Sequence, residues 1–219
     1  MWSQLTSLLA AATLETLYMV AVAVVLGTIM GLPLGVLLAT TGRGEMLESP
    51  AFQRIAGAIV NIGRSLPFII LVVAIIPFTR LLVGTTIGTT AAIVPLTLGI
   101  VPFIARVVEG AVREVDPGLI EAARAMGARP WQVVTKVLLP EALPGLIHGL
   151  TLTIVTLIGY SAMVGAVGGG GLGDLGIRYG YQRFRPEVML AVVVLLVVMV
   201  QLVQAAGDHL ARRVNRRAR

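Results

Sequence analysis

The sequence predicts an all-α integral membrane protein of five transmembrane helices, and three observations carry that prediction. Of its 219 residues, 57% are hydrophobic and only 13% charged, with a mean hydropathy of +0.92; a soluble domain cannot cover its surface with so few polar residues. The apolar residues fall in runs near the length that crosses a bilayer. The basic residues stand between and after those runs, where they act as topology signals.

The same composition excludes other classes. A net charge of +6 and a pI near 10.7 would suit a nucleic-acid partner, yet the basic residues have no interleaved aromatics and no binding module, so none is expected. With no cysteine there is no disulfide, iron–sulfur or thiolate metal site. The first basic residue is Arg43, so the N-terminal segment lacks the positive region of a cleavable signal.

In chain order, segment one covers 14–40. Gly27, Gly31 and Gly35 recur in it at four-residue spacing, which lets another backbone come close, either in a second subunit or within the chain. Pro33 allows a kink. Segment two is the difficult one, because Leu66 to Phe78 is short and is preceded by Asn61 and Arg64. Charge decides it. If the segment spans, thirteen of the 17 basic residues share one side, leaving Arg80, Arg178, Arg183 and Arg185 on the other; if it does not, the split is ten against seven. The positive-inside rule selects five spans, with segment two over 55–79 and Arg64 snorkelling or buried against protein near its inner face. Segments three, four and five cover 87–108, 143–167 and 188–206. The N-terminus is then outside and the C-terminus cytoplasmic, with the tail ARRVNRRAR anchored at the anionic membrane lipid surface.

Between segments three and four, residues 116–140 form a polar interruption that is patterned like structured protein. Asp116 and Pro117 give an N-cap and a first helical residue. The helix passes Ala122, Ala123 and Met126 and stops at Gly127, suited to a left-handed C-terminal position. Pro130 opens a second short helix, Trp131 to about Leu138, which Pro140 closes. Leu119, Ala123 and Met126 share one face at i, i+4 and i+7, while Glu121 and Arg124 offer pairing groups.

Glu121-Ala122-Ala123, then three residues and Gly127, Val137 where Ile is usual, and Leu139-Pro140 resemble the EAA loop of bacterial ABC importer permeases. The runs 61–110 and 159–184 resemble more specifically the methionine-importer permease family. The resemblance implies one transmembrane permease domain over 1–219 with the type I importer permease fold, located in the bacterial inner membrane. It implies a homodimer with two cytoplasmic ATPase subunits, which bind ATP and Mg, and an extracytoplasmic methionine-binding protein. Glu121, Ala122, Ala123, Met126 and Gly127 would couple to the ATPase, and L- and D-methionine would be the solutes. The alternatives are an ion-coupled amino-acid carrier and a non-catalytic scaffold whose loop recruits a cytoplasmic partner.

No enzymatic chemistry is expected, and no cofactor or metal in this chain. Gly171 to Gly176 fits GxGxxG but follows a membrane helix rather than a strand; Gly168 to Gly171 reads as a mobile or tightly turning outer loop. No P-loop occurs, so ATP hydrolysis must lie in another subunit. His148 and His209 lack companions at metal-ligand spacing. Glu109 and Glu114 are expected to balance Arg106 and Arg113. Glu15, Glu109, Glu141, Glu187 and Asp208 are expected at segment ends, leaving no mid-span carboxylate of the kind proton-coupled carriers use. Tyr160, Ser161 and Met163, midway along segment four, are candidates for the translocation path: a phenol, a hydroxyl and a thioether suit a small amphipathic solute, although each also fits plain packing.

Overall fold

The computed structural model describes residues 2–214, so Arg216, Arg217 and Arg219 of the basic tail lie outside the described residues. Ten α-helices follow one another among the described residues. Four are long and apolar enough to cross a membrane, within Leu5–Thr40, Thr89–Arg113, Pro130–Ala166 and Pro186–Val214, and the broken pair Pro50–Ser65 with Phe68–Ala74 makes a fifth when taken as one span.

Helix α1, Trp2–Thr40, begins well before the expected Leu14 and continues through Pro33. Residues 2–13 hold no glycine or proline, and the hydroxyls of Thr13 and Thr16 donate to the carbonyls of Leu9 and Ala12 at 2.7 and 3.0 Å, so the polar side chains are satisfied inside the helix. Glu15 therefore lies inside a continuous helix, toward the N-terminal end of the apolar run Leu5–Thr40.

The second segment is not the single helix expected over 55–79. It divides into α2, Pro50–Ser65, α3, Phe68–Ala74, and α4, Ile76–Val83. Pro67 causes the first break: it has no N–H for the preceding helix, disfavours a helical Leu66, and has an extended ψ of 126°. Pro77 stands at the start of α4, whose end is capped by Gly84 at φ +79°.

Helix α5, Thr89–Arg113, and α6, Pro117–Ala125, follow. The short α7, Pro130–Val133, does not stop at Pro140 as expected. It widens into a π-helical turn, Val134–Leu138, and runs on as α8, Leu139–Ala166. Leu139 donates its N–H to Val134, five residues back. A π turn accommodates a residue that has no N–H to give and whose ring would meet the carbonyl four residues earlier. The five-residue α9, Gly171–Leu175, leads through a second π turn, Gly176–Tyr181, to α10, Pro186–Val214.

The chain packs as two compact units. One comprises the chain up to Gly27, Leu66–Ile100 and Ile154–Gln204; the other comprises Thr28–Ser65, Val101–Thr153 and the chain from Ala205.

In the first unit Met19, Leu96, Ile100, Leu157, Leu172 and Val188 are fully buried. Gly168 to Gly171 form a tight turn, with Gly168, Gly170 and Gly171 at φ of +86°, +79° and +73°. The carbonyl of Gly168 accepts from Gly88 at 2.9 Å. Gly171 and Leu172, the first residues of α9, donate their N–H groups to the Glu15 carboxylate at 2.7 Å and the Thr16 hydroxyl at 2.9 Å.

In the second unit Leu38, Ala56, Val60 and Ala105 form a buried cluster, with Leu34 against it. A Cβ at Gly31 would lie 2.8 Å from Ile104, and one at Gly35 2.6 Å from Val108, so these two glycines of the repeat serve packing inside the chain. Arg106 donates to the Gly57 carbonyl at 3.0 Å and the Asn61 side chain at 2.8 Å. Its other terminal nitrogen bonds Glu109, which also pairs with Arg113 at 2.9 Å. Glu114, expected to share that balance, is exposed and makes no ion pair among the described residues, because the buried Glu109 takes both arginines. The Arg64 guanidinium lies 5.3 Å above the Phe103 ring, where a cation is attracted by the negative ring face.

Candidate functional site

The 116–140 loop is built from two local stops. Asp116 accepts the Gly118 N–H at 2.8 Å, and Pro117 occupies the first turn of α6. At the other end Gly127 has φ +80°; it donates to Arg124 at 2.9 Å while Ala128 donates to Ala123 at 3.1 Å. Those two bonds across a left-handed glycine make a Schellman motif, which satisfies carbonyls the helix leaves open. The next helix starts with its own cap, since the Gln132 side chain accepts the Arg129 N–H at 2.8 Å. The helix, turn and helix start are held by local hydrogen bonds throughout.

Among the residues singled out by sequence, Glu121, Ala122 and Gly127 are exposed and Ala123 is buried. Met126 is 81% exposed, a large apolar side chain left uncovered by this chain. Leu119, Ala123 and Met126 share one side of α6, as their spacing predicts, and all three border a cleft of about 480 Å³ whose other wall includes Lys136, Val137 and Pro140. Glu121 and Arg124 make no ion pair among the described residues. Trp131, 60% exposed, adds a second uncovered apolar side chain that the sequence reading did not single out. Its signal was its place just after Pro130, in the first turn of a helix outside the apolar runs.

The 160–163 stretch is brought together only in part. Tyr160 is half-buried and stacks on Phe68, with ring centroids 4.0 Å apart and planes within 3°. Met163 is 47% exposed and, three residues on, shares the side of α8 that carries Tyr160. Ser161 is buried on another side, and its hydroxyl donates to the Ile158 carbonyl at 2.7 Å. Phe68 was not foreseen as a partner; the start of a new helix after Pro67 puts it there.

Residues 31–217 match the family described as binding-protein-dependent transport system inner membrane component. The chain belongs to this family. It is thus a permease, a transport component rather than an enzyme. It is 57% identical over 217 residues to a Vibrio cholerae protein named probable D-methionine transport system permease protein MetI, covering 99% of this chain and 96% of that one. It is 60% identical over 151 residues to the Escherichia coli D-methionine transport system permease protein MetI, covering 69% and 70%. Among solved structures, a chain of the MetNI methionine ABC transporter in inward-facing conformations matches with a TM-score of 0.97 at 56% identity, covering 99% of this chain and all of that one. An amino acid ABC transporter crystallised with histidines shares the fold at a TM-score of 0.79 and 20% identity, covering 97% and 96%.

Proposed function

We propose that this permease translocates methionine, in its L and D forms, across the bacterial inner membrane in a homodimer driven by two cytoplasmic ATPase subunits and fed by an extracytoplasmic binding protein. The observation that carries the reading is the near-complete likeness, in sequence and in backbone, to relatives named for methionine transport. ATP and Mg belong to the ATPase partners. The whole of 1–219 acts as one permease domain, oriented with its C-terminus in the cytoplasm.

In this reading the 116–140 loop docks on the ATPase. Ala122 allows close approach, Glu121 and Arg124 provide charge pairing, and the uncovered Met126 supplies apolar contact. The locally braced turn at Gly127 suits rigid transmission of motion. Pro130 to Ala166 is one continuous helical run, so the loop's second helix is also the base of the helix that carries Tyr160 and Met163. Those two residues, with Phe68 behind the tyrosine ring, line the path in this proposal; Ser161 is assigned a structural role because its hydroxyl is bonded within the helix.

The deciding experiment is uptake of radiolabelled amino acids into proteoliposomes holding the permease, its ATPase and the binding protein. Methionine uptake that requires trapped ATP is the expected result. Uptake driven by an ion gradient without the ATPase would establish the carrier, and absence of any uptake from the complete assembly would overturn the methionine reading.

A further inference from the structure

Helix α1 carries a carboxylate, Glu15, toward the N-terminal end of the apolar run Leu5–Thr40, whose 36 residues exceed the ~20 that cross a bilayer. Its hydrogen-bond partners are specific. The Glu15 carboxylate accepts the Gly171 N–H at 2.7 Å, and the adjacent Thr16 hydroxyl accepts the Leu172 N–H at 2.9 Å. These are first-turn donors of α9, which have no acceptor inside their own helix.

The helix so held is short. Helix α9 has five residues, too few to be stable alone. It follows a turn in which Gly168, Gly170 and Gly171 all have positive φ. The fit around the turn is close: a Cβ on Gly171 would lie 2.5 Å from the Met19 Cε and 2.6 Å from the Thr16 hydroxyl. Gly171 and Leu172 are thus tied to α1, through contacts 156 positions apart in sequence.

We propose that Glu15 and Thr16 are positioning residues for transport, a latch on α1 that holds the glycine turn and the start of α9 in the arrangement that ties ATP hydrolysis to solute movement. This rests on the importer reading above. Neither residue touches solute in the proposal; both act through the backbone of Gly171 and Leu172.

The test uses the assembled transporter in nanodiscs and proteoliposomes, with hydrogen–deuterium exchange of the 166–176 peptide, basal ATP hydrolysis, and ATP consumed per methionine taken up. Glu15→Ala is expected to raise exchange at Gly171 by about tenfold or more, the factor that corresponds to losing a hydrogen bond to a charged acceptor. It should also raise basal hydrolysis and the ATP consumed per methionine. Glu15→Gln keeps a carbonyl acceptor and is expected to recover exchange and coupling in part, a neutral hydrogen bond being the weaker one, which a requirement for charge alone would not allow. Thr16→Val, similar in shape, removes the Leu172 contact together with the hydroxyl's bond to the Ala12 carbonyl inside α1, and carries the test if Glu15→Ala does not fold. Wild-type exchange in Glu15→Ala, or in Thr16→Val if that variant carries the test, overturns the latch. Raised exchange with unchanged basal hydrolysis and ATP per methionine overturns its role in transport. If the wild type takes up no methionine, the solute assignment fails separately, and exchange with basal hydrolysis still decides the latch.

Discussion

Ala128 donates its backbone N–H to the carbonyl of Ala123 at 3.1 Å, closing the chain over Gly127 at φ +80°. A Cβ at Gly127 would meet nothing within 4 Å, so a substitution there acts through the backbone torsion alone. Gly127→Ala is expected to cost about 1–2 kcal/mol, the left-handed penalty. Gly127→Val should cost more, within about 1–3 kcal/mol, because a β-branched side chain tolerates that region least. Both variants should insert normally, while co-purification of the ATPase falls from wild type through Ala to Val. Full retention of the ATPase and normal uptake by Gly127→Val would reduce the loop to a connector.

Glu121→Lys attacks the same surface without touching the turn. Glu121 is exposed and has no ion-pair partner among the described residues, so reversing its charge should leave the permease's thermal stability within about 0.5 kcal/mol of wild type. The expected loss is in ATPase retention and in hydrolysis tied to uptake, measured on one reconstituted sample. An unchanged ATPase complex would remove Glu121 from the docking surface.

How much of this was legible in the sequence depended on the range of the interaction responsible. Asp116, Pro117 and Gly127 act on residues within a turn of themselves, and the caps they predict are the caps observed. Proline was read less well because its effect depends on what surrounds it. Pro67 breaks a segment expected to be continuous, whereas Pro140, expected to end a helix, is absorbed by a π turn whose formation depends on five-residue hydrogen bonds that no local pattern announces. The partnership of Glu15 with Gly171 was illegible for a further reason: it joins positions 156 apart, and the early start of α1 that makes Glu15 helical had no capping signal. At the path candidates, spacing alone pairs Tyr160 with Met163; the burial of Ser161 and the stack on Phe68 required the fold.

That stack makes a graded prediction. Offset or parallel ring contacts contribute about 0.5–1.5 kcal/mol beyond burial. Tyr160→Phe keeps the ring against Phe68 and removes only the hydroxyl, whereas Tyr160→Ala removes both. If the phenol contacts solute, Tyr160→Phe should lower methionine uptake while thermal stability stays near wild type, and Met163→Ala should alter uptake kinetics or substrate preference in parallel. Unchanged kinetics and preference in Tyr160→Phe and Met163→Ala would assign both side chains to packing.

Glu109 and Glu114 provide an internal comparison on one stretch of chain. Glu109 has a side chain only 6% exposed and pairs with Arg106 and Arg113, so Glu109→Ala leaves Arg106 partly buried without its carboxylate. Breaking a buried pair from one side costs about 3 kcal/mol or more. Glu114→Ala, at an exposed position, should stay within about 0.5 kcal/mol. Thermal unfolding of the purified permease should show a clear drop for the first and almost none for the second; equal effects would mean that the Arg106 network does not hold α2 to α5.

Orientation is the remaining prediction, and it follows from charge rather than from packing. With the broken pair of Pro50–Ser65 and Phe68–Ala74 counted as one span, the chain has five. Five crossings place thirteen of the 17 basic residues on one side, the distribution expected of the cytoplasmic face. The 116–140 loop then shares that side with the C-terminus, where an ATP-bound partner can reach it. A reporter active only in the cytoplasm and fused after Arg219 should be active, and one active only outside and inserted near Leu82 should be active as well. Whether the broken pair itself crosses is read by a reporter near Glu45, in the connector before Pro50, which is cytoplasmic if the pair is a span. A reporter that works only outside and is active near Glu45 would mean that the pair enters and leaves on one side, returning Arg43, Arg54 and Arg64 to the outer face and reducing the spans to four; a cytoplasmic Leu82 would sink the five-span arrangement. A cytoplasmic reporter inactive after Arg219 would invert the whole arrangement and put the Glu121 surface out of reach of any ATPase.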